Sequence, residues 1–405
     1  MTETTASGKN GLTLQIEDFI IVWLDATINR DDNNRLLKRQ FLLQISSNCI
    51  QTFVDQHEYI EYIRQNINEH IFLIVSGSLG KNVVPLVHNL SQVIQIYVFC
   101  AVKGPHKSWS ESFTKIRGIF IDENPLMACL KNDLKMYSST LAPISIGYTN
   151  ERSLQDIDKE QVNFLWFQLL IEVIYRLSQT PIAKKQMIEQ CRENYVDNSS
   201  QLRMIEDFYE KYTADSTINW YTTDCFIYRL LNRAFRTQNI DIIFNYHYFL
   251  TDLFRQLTTL YQDQFGEKIG KLTAYRRQPM NAQELEILKT HIGRLMSINT
   301  FFSTSTACSV AVDFSGNGEL QSMGIESVIF EIDIDLTVQR RPFARIDKFS
   351  DHQDENEILF AIGSIFRIEQ VELFTDNIWL VQLILTNEVK KRNRRFVSIF
   401  YATYW

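Results

Sequence analysis

Short apolar runs alternate with amphipathic stretches along the first third of the chain. The runs read FIIVWLD, CIQTFVD, IFLIVSG, VIQIYVFC and GIFID, and they begin at Phe19, Cys49, Ile71, Val93 and Gly118. Between them, stretches such as EYIEYIRQNI and KNVVPLVHNLSQ have helical spacing. Because strands that alternate with helices are joined by right-handed crossovers, this pattern predicts a parallel α/β sheet over residues 1–140.

The ends of these strands indicate what the first domain does not do. Ligands of such sheets bind beyond the carboxyl ends of the strands, where the chain has Asp25, Ser76 with Gly77, Lys103 and Asp122. A phosphorelay domain needs a carboxylate after the third strand, where Ser76 stands, and a lysine after the fifth, where Asp122 stands. We therefore expect a flavodoxin-like or receiver-like fold that serves targeting or regulation through a protein partner, rather than chemistry.

A polar stretch, SSTLAPISIGYTNER, follows from Ser138 and predicts a linker over residues 141–155. Helical spacing dominates after it. Apolar residues recur at helical intervals up to about Ser178, at Val162, Leu165, Leu169, Val173 and Leu177. Pro181 fits the first turn of a second helix, and further helical runs extend to about residue 264.

From Lys271 onward the pattern becomes that of β-strands. The runs are LTAYRRQP, INTFFSTST, SVIFEIDID, ENEILFAIGSIFRIEQVEL and IWLVQLILT, without a helix predicted between each pair. Such a series favours an antiparallel or mixed sheet. Together with the preceding helices it predicts an α+β domain over residues 156–389, followed by a basic and aromatic tail over 390–405.

Composition agrees with two folded domains and excludes several classes of protein. The chain has 405 residues, of which 45% are hydrophobic and 22% charged, so it can bury substantial cores. Its formal charge of −7 argues against broad binding of nucleic acid through phosphates. The polar start lacks the apolar stretch of a secretory signal, and FLWFQLLIEVI, from Phe164, is too short to span a bilayer. We expect a cytoplasmic protein with no membrane and no nucleic-acid partner.

The six cysteines do not indicate a metal site. They are widely separated, with no CxxC pair and no Cys/His cluster, at Cys49, Cys100, Cys129, Cys191, Cys225 and Cys308. We expect no metal cofactor.

Three features of the β-rich part carry candidate chemistry. Arg276, before Pro279, could fork onto a phosphate or carboxylate, or lie on the surface as an ordinary arginine. The hydroxyls of residues 303–306 could bond a ribose, or line the wet face of a strand. Glu355 and Glu357 project to one side of a strand, which suits chemistry at a developing sugar cation but also protects a sheet edge.

In this order, Arg, then Ser-Thr-Ser, then Glu-x-Glu, the features resemble the arginine-specific mono-ADP-ribosyltransferase family of the cholera-toxin-like type. The flanking text is similar as well, in AYRRQP, FFSTSTACSVAVDF and ARIDKFSDHQDENEILFAIGSIFRI. The helical segment INWYTTDCFIYRLLNRAFR also resembles the one that precedes the family's catalytic core. The resemblance implies that residues 156–389 have an ADP-ribosyltransferase fold.

The resemblance also implies roles for the matching residues. Arg276 would hold the phosphates of NAD, or of NADP as an alternative co-substrate. Ser303 would bond the nicotinamide ribose and help to position the catalytic glutamate, with Thr304 and Ser305 completing the cofactor-binding strand. Glu357 would bond the ribose and stabilise positive charge as nicotinamide departs. Glu355 would orient the acceptor arginine and draw off its proton.

The loop of residues 346–354 would recognise the acceptor, with Phe349 either contacting it or serving as a buried anchor. Arg277 departs from the family, which commonly has glycine there. The implied activity is transfer of ADP-ribose from NAD to arginine in acceptor proteins. NAD glycohydrolysis with water as acceptor, and nucleotide binding without turnover, remain alternatives. The tail could be a nuclear address, a lipid-binding handle or a solvated charge run.

Overall fold

A computed structural model describes most of the chain. The described residues are 19–26, 50–67, 69–140, 143–147, 159–196, 199–223, 225–308, 325–337, 341–350, 356–375 and 378–387. Glu355 and the tail over 390–405 lie outside them, so the expectations for both stay predictions.

The first part of the chain forms a parallel sheet, as its pattern predicts. Its strands are β1 (Ile20–Leu24), β2 (Ile50–Phe53), β3 (Ile71–Ser76), β4 (Val93–Phe99) and β5 (Ile116–Phe120), with helices α1 (Gln56–Gln65), α2 (Gly77–Val87), α3 (Gly104–Ser110) and α4 (Glu123–Thr140). The order is β2-β1-β3-β4-β5, and every pairing is parallel. This is the strand order of flavodoxin-like folds. β1 and most of β3 are buried because both faces of such a sheet are covered.

A group of helices follows the first sheet. They are α5 (Lys159–Ile174), α6 (Pro181–Asn194), α7 (Ser199–Lys211), α8 (Thr217–Thr222), α9 (Phe226–Arg236), α10 (Ile240–Asn245) and α11 (His247–Phe265). Pro181 does open α6, and the Thr180 hydroxyl caps that helix by accepting from the Ala183 N–H.

The buried face of α5 is not the stripe of recurring apolar residues in the sequence. Val162 and Val173 are exposed, whereas Phe164, Phe167 and Ile171 are buried. α5 is apolar around most of its circumference, so spacing alone did not select the face that packs against the other helices.

The second sheet is mixed and has ten strands in the part of the chain that the structure describes. They are β6 (Ile144–Gly147), β7 (Lys271–Arg277), β8 (Met280–Asn281), β9 (Leu295–Ile298), β10 (Phe302–Ser305), β11 (Ile325–Asp335), β12 (Phe343–Arg345), β13 (Glu357–Phe360), β14 (Ser364–Thr375) and β15 (Ile378–Thr386). The order is β12-β13-β10-β7-β11-β15-β14-β9-β6, with β8 beside β11. β11 and β15 are parallel, and the other pairings are antiparallel.

One predicted run divides into two strands, since ENEILFAIGSIFRIEQVEL holds β13 and most of β14. The break comes at Gly363, whose φ of 74° is a left-handed conformation that glycine adopts without strain. INTFFSTST holds β10 but only the last residue of β9, Ile298, so the pattern missed most of β9. The sequence pattern also missed α12 (Ala282–Thr290), which begins with a capping box between Asn281 and Glu284.

Part of the predicted linker is a strand. β6 pairs with β9, so residues 144–147 form the edge of the second sheet. The side-chain amide of Asn299 donates to Ser145 Oγ over 2.6 Å, which fastens this strand further. Residues 144–147 have Ile144 and Ile146 as their apolar side chains, which is a weak strand signal. The pairing with β9 makes them a strand.

The two sheets are also joined by apolar contact. Ile325 of β11 lies in the same buried cluster as Leu126, Met127 and Leu130 of α4. Within the described residues, no helix is long and apolar enough to cross a membrane.

Candidate active site

Arg276 lies near the end of β7 and is fixed to the next strand. Its Nη1 donates to the carbonyl oxygen of Ser303 over 2.7 Å, and its Nε donates to Gln278 Oε1 over 3.2 Å. The guanidinium carbon is 4.8 Å from the ring centroid of Phe302, a cation–π distance. These contacts hold the plane of the guanidinium, so it is preorganised to bind an anion.

Strand pairing brings Arg276 and Glu357 near each other. Ser305 of β10 lies opposite Tyr275, the neighbour of Arg276 on β7, and also opposite Glu357 on β13. Burial lowers the pKa of the Arg276 guanidinium, while Tyr228, Tyr221 and Glu357 raise it.

The hydroxyl-bearing strand β10 lies between these two residues. It pairs with β13 so that Ser305 is opposite Glu357 and Ser303 is opposite Leu359. Residues directly opposite each other in an antiparallel pair share a face, so Ser303, Ser305 and Glu357 lie on one face of the sheet. Thr304 points the other way, and its buried hydroxyl donates to the carbonyl oxygen of Ile358 over 3.1 Å.

Glu357 is the first residue of β13, and its side chain is buried, with 7% of the residue exposed. Its carboxylate Oε2 accepts from the Ser350 hydroxyl over 3.1 Å. Its backbone N–H donates to Asp347 Oδ1 over 2.6 Å. The preceding residue, Asn356, has a left-handed φ of 46°, which turns the chain into the strand.

Two tyrosines and an asparagine complete the site, and the sequence analysis did not single them out. Tyr221 of α8 is buried, and burial raises its pKa, with smaller influences from Tyr228, Arg276 and Glu357. Its hydroxyl donates to Asn232 Oδ1 over 3.5 Å, and its ring lies 5.5 Å from that of Tyr228. Tyr228 is 44% exposed, so its ring is open to a ligand at the site. All three stand in INWYTTDCFIYRLLNRAFR, but on two separate helices, so helical spacing along the chain could not bring them together.

The described part of the loop before Glu357 is packed against the helices. Phe349 is half-buried and contacts the apolar cluster that includes Phe301 and Leu359. This contact favours the anchor interpretation of Phe349 over the recognition interpretation. The rest of the loop, residues 351–355, is outside the described part.

Arg277 follows Arg276 and has an unusual environment. It is half-buried, and burial lowers its pKa. Within the described part of the chain, its Nε and Nη2 are buried and make no hydrogen bond. Buried donors of this kind are costly, so an anion bound here would supply partners that the protein does not.

The described part of the site offers the carboxylate of Glu357, the guanidinium groups of Arg276 and Arg277 and the hydroxyls of β10. Among the described residues, no group of three or more His, Cys, Asp or Glu side chains is arranged to hold a metal ion.

Several solved structures resemble part of the chain. HopU1, an ADP-ribosyltransferase of Pseudomonas syringae pv. tomato DC3000, is 15% identical with a TM-score of 0.35, and the match covers 52% of this chain and 99% of that one. The C3 exoenzyme of Clostridium limosum is 13% identical with a TM-score of 0.32, and the match covers 49% of this chain and 95% of that one. The Vis toxin, an ADP-ribosyltransferase of Vibrio splendidus, is 22% identical with a TM-score of 0.26, and the match covers 59% of this chain and 88% of that one.

No family model matches the chain, and no curated protein matches it. The structural likenesses have low TM-scores and low identities. The function proposed for this chain therefore rests on its own site residues.

Proposed function

We propose that residues 156–389 form an ADP-ribosyltransferase domain that transfers ADP-ribose from NAD to arginine in acceptor proteins and releases nicotinamide. One observation carries the proposal. The buried carboxylate of Glu357 lies beside Ser305 in register and within electrostatic reach of Arg276, whose guanidinium is fixed on the Ser303 carbonyl. A held cation and a held carboxylate on β7 and β13, the two strands that flank β10, fit a substrate that has phosphates and forms a sugar cation.

The chemistry assigned to Glu357 follows from its charge. The bond between C1′ of the ribose and the nicotinamide nitrogen breaks, and its electron pair leaves with nicotinamide. Positive charge then develops at C1′ and the ring oxygen, and a nearby carboxylate stabilises it, as in glycoside cleavage. A guanidinium nitrogen of the acceptor forms the new bond to C1′.

The acceptor arginine needs a group that removes its proton. Glu355 would do this, since it stands two residues before Glu357 and a carboxylate can orient a guanidinium through a bidentate contact. Without an acceptor, water at the same position would give NAD glycohydrolysis. The buried and held carboxylate favours turnover over nucleotide binding alone.

The co-substrate's other groups would meet the remaining residues of the site. Arg276 would hold the pyrophosphate or the nicotinamide ribose phosphate, and Ser303 would bond the ribose. In the described structure the buried Nε and Nη2 of Arg277 make no hydrogen bond, and they would donate to a phosphate oxygen, whether of NAD or of NADP. The exposed ring of Tyr228 would stack on a flat heterocycle.

The first experiment measures two products from the whole chain and labelled NAD. Nicotinamide release reports cleavage, and label on polymeric arginine reports transfer. We expect both in the wild type and a loss of both in Glu357→Gln of about 100-fold or more, because a neutral amide cannot balance the developing charge. Glu355→Gln should lose transfer while keeping part of the nicotinamide release.

Glu284→Gln is the matched control. Glu284 is also partly buried, but its contact is with the N–H of Asn281 at the start of α12. This control should keep both products. Nicotinamide release without labelled arginine would support the glycohydrolase instead. NAD binding without any release would contradict catalysis and leave a binding module.

A further inference from the structure

The loop that joins β12 to β13 is fastened to Glu357 at three separate atoms. The Ile346 N–H donates to the Glu357 carbonyl oxygen over 3.0 Å. Asp347 Oδ1 accepts from the Glu357 N–H over 2.6 Å, and the Ser350 hydroxyl donates to Glu357 Oε2 over 3.1 Å. One short segment, residues 346–350, thus contacts the donor, the acceptor and the side chain of the same residue.

Ser350 is itself held in place by backbone geometry. Its N–H donates to the Ile346 carbonyl oxygen over 2.8 Å, which closes a turn. Only 2% of Ser350 is exposed. Its hydroxyl is therefore a donor of fixed position rather than a mobile surface group. A carboxylate held through one oxygen loses rotational freedom about its last bond before any substrate arrives.

Asp347 fixes the backbone from which the carboxylate projects. Its acceptor contact with the Glu357 N–H comes directly after the left-handed Asn356. On the other side, the Thr306 N–H donates to the Asn356 carbonyl oxygen over 3.3 Å. The peptide unit before the carboxylate is thereby clamped between the loop and the end of β10.

From these contacts we infer that Ser350 and Asp347 are positioning residues that preset the Glu357 carboxylate for the departure of nicotinamide. The inference rests on the proposed function. Ser350 orients the carboxylate through Oε2, and Asp347 sets the direction of its Cα–Cβ bond. Neither residue needs to touch the substrate. Preset charge of this kind acts in the transition state, so it affects kcat more than the binding of NAD.

The test is a comparison of steady-state nicotinamide release by full-length variants. We expect Ser350→Ala to lower kcat by about tenfold with little change in the KM for NAD, since a hydrogen bond to a charged group is lost. Ser350→Thr, which keeps the hydroxyl, should recover most of that loss. Asp347→Ala should lower kcat similarly, whereas Asp347→Asn keeps an acceptor oxygen and should retain more.

Ser364→Ala is the matched control. Ser364 is equally buried, with 1% exposed, but its hydroxyl donates to the Ala361 carbonyl oxygen over 2.6 Å. It should lose thermal stability comparably to Ser350→Ala while keeping kcat. Equal kcat values in Ser350→Ala and Ser364→Ala, with an active wild type, would overturn the positioning role alone. A wild type that releases no nicotinamide would overturn the proposed function and the positioning role with it.

Discussion

The charged residues of the candidate site differ in how many of their polar atoms form hydrogen bonds within the protein. Arg276 has two hydrogen bonds and an aromatic face, and Glu357 has contacts at both its backbone and its carboxylate. Arg277 instead has buried nitrogens without hydrogen bonds in the described structure. Under the proposed function, a phosphate would supply the hydrogen-bond partners that these nitrogens of Arg277 lack in the described structure.

Replacing Arg276 by lysine tests whether the planar fork matters. Lysine keeps the charge but cannot reproduce the contacts of Nη1 and Nε with Ser303 and Gln278. We expect Arg276→Lys to lower kcat/KM for NAD by about 100-fold, measured by nicotinamide release. Arg192→Lys is the control, since Arg192 forms a two-pronged ion pair with Glu206 on the helices. An equal loss in both variants would contradict the role of Arg276.

Replacing Arg277 by methionine tests whether this arginine lowers stability and contributes to NAD binding. Methionine retains the apolar stem and removes the buried donors that lack hydrogen bonds. We expect Arg277→Met to raise the free energy of unfolding by about 1 kcal/mol, by urea titration, and to weaken NAD binding, by calorimetry. A variant that binds NAD as tightly as the wild type would remove Arg277 from the proposed phosphate site.

At the scale of elements, one face of β10 contributes hydroxyls to the candidate site, and the other face fastens the strand to β13. Ser303 and Ser305 share a face with Glu357, while Thr304 ties the strand to β13 through the Ile358 carbonyl. Strand alternation separates the two purposes residue by residue. The Ser-Thr-Ser run in the sequence does not show this division, because a hydroxyl that faces the site and one that holds the sheet together are the same chemical group.

Thr304→Val removes the buried hydroxyl while keeping the shape of the side chain. We expect the free energy of unfolding to fall by about 1 kcal/mol, since the Ile358 carbonyl loses a donor. Kinetics of nicotinamide release should give an unchanged KM for NAD. A raised KM would show that Thr304 contacts the co-substrate, as the family resemblance implies.

Helix α5 gives a direct test of which face is buried. Phe167 is buried in the helical cluster, whereas Val162 is 50% exposed. We expect Phe167→Ala to lower the free energy of unfolding by about 3–5 kcal/mol and Val162→Ala to change it by less than about 0.5 kcal/mol. Circular dichroism with urea measures both. Similar losses would contradict the assignment of the buried face.

At the scale of the whole molecule, β6 decides where the second domain can begin. The chain needs residues 144–147 at the edge of the second sheet, although they precede the predicted domain start at residue 156. We propose that the first sheet serves targeting or regulation, because its strand ends lack the carboxylate and lysine of a phosphorelay domain. Its apolar contact with Ile325 joins it to β11.

Two truncations separate the contributions of the first sheet and β6. A variant lacking residues 1–140 should keep nicotinamide release largely intact, with some loss of stability because Ile325 becomes exposed. A variant lacking residues 1–150 should melt at a lower temperature, because β9 loses its pairing with β6, although it keeps its pairing with β14, and because Asn299 loses Ser145. Thermal melts and turnover of both variants check this. Loss of all turnover in a folded 1–140 deletion would give the first sheet a part in the chemistry.

The sequence by itself determined the repetitive features of this protein. Apolar runs that alternate with helical stretches predicted β1 to β5 and their parallel arrangement, because strands joined by crossover helices lie parallel in one sheet. Local chemistry also identified the start of α6 at Pro181 and the separate candidates Arg276, Ser303 and Glu357. These features depend on neighbouring residues along the chain, so reading along the chain finds them.

Only the tertiary structure decided which residues act together. It placed Ser305 opposite Glu357, brought Tyr221 and Tyr228 to Arg276, and recruited residues 144–147 into the second sheet. It also chose the buried face of α5. Each of these outcomes depends on partners far away in sequence, whose pairing and packing free energies exceed the local preference of the residues concerned. Burial and strand register therefore decide which residues come together in the candidate site, and the periodicity of the sequence predicts neither of them.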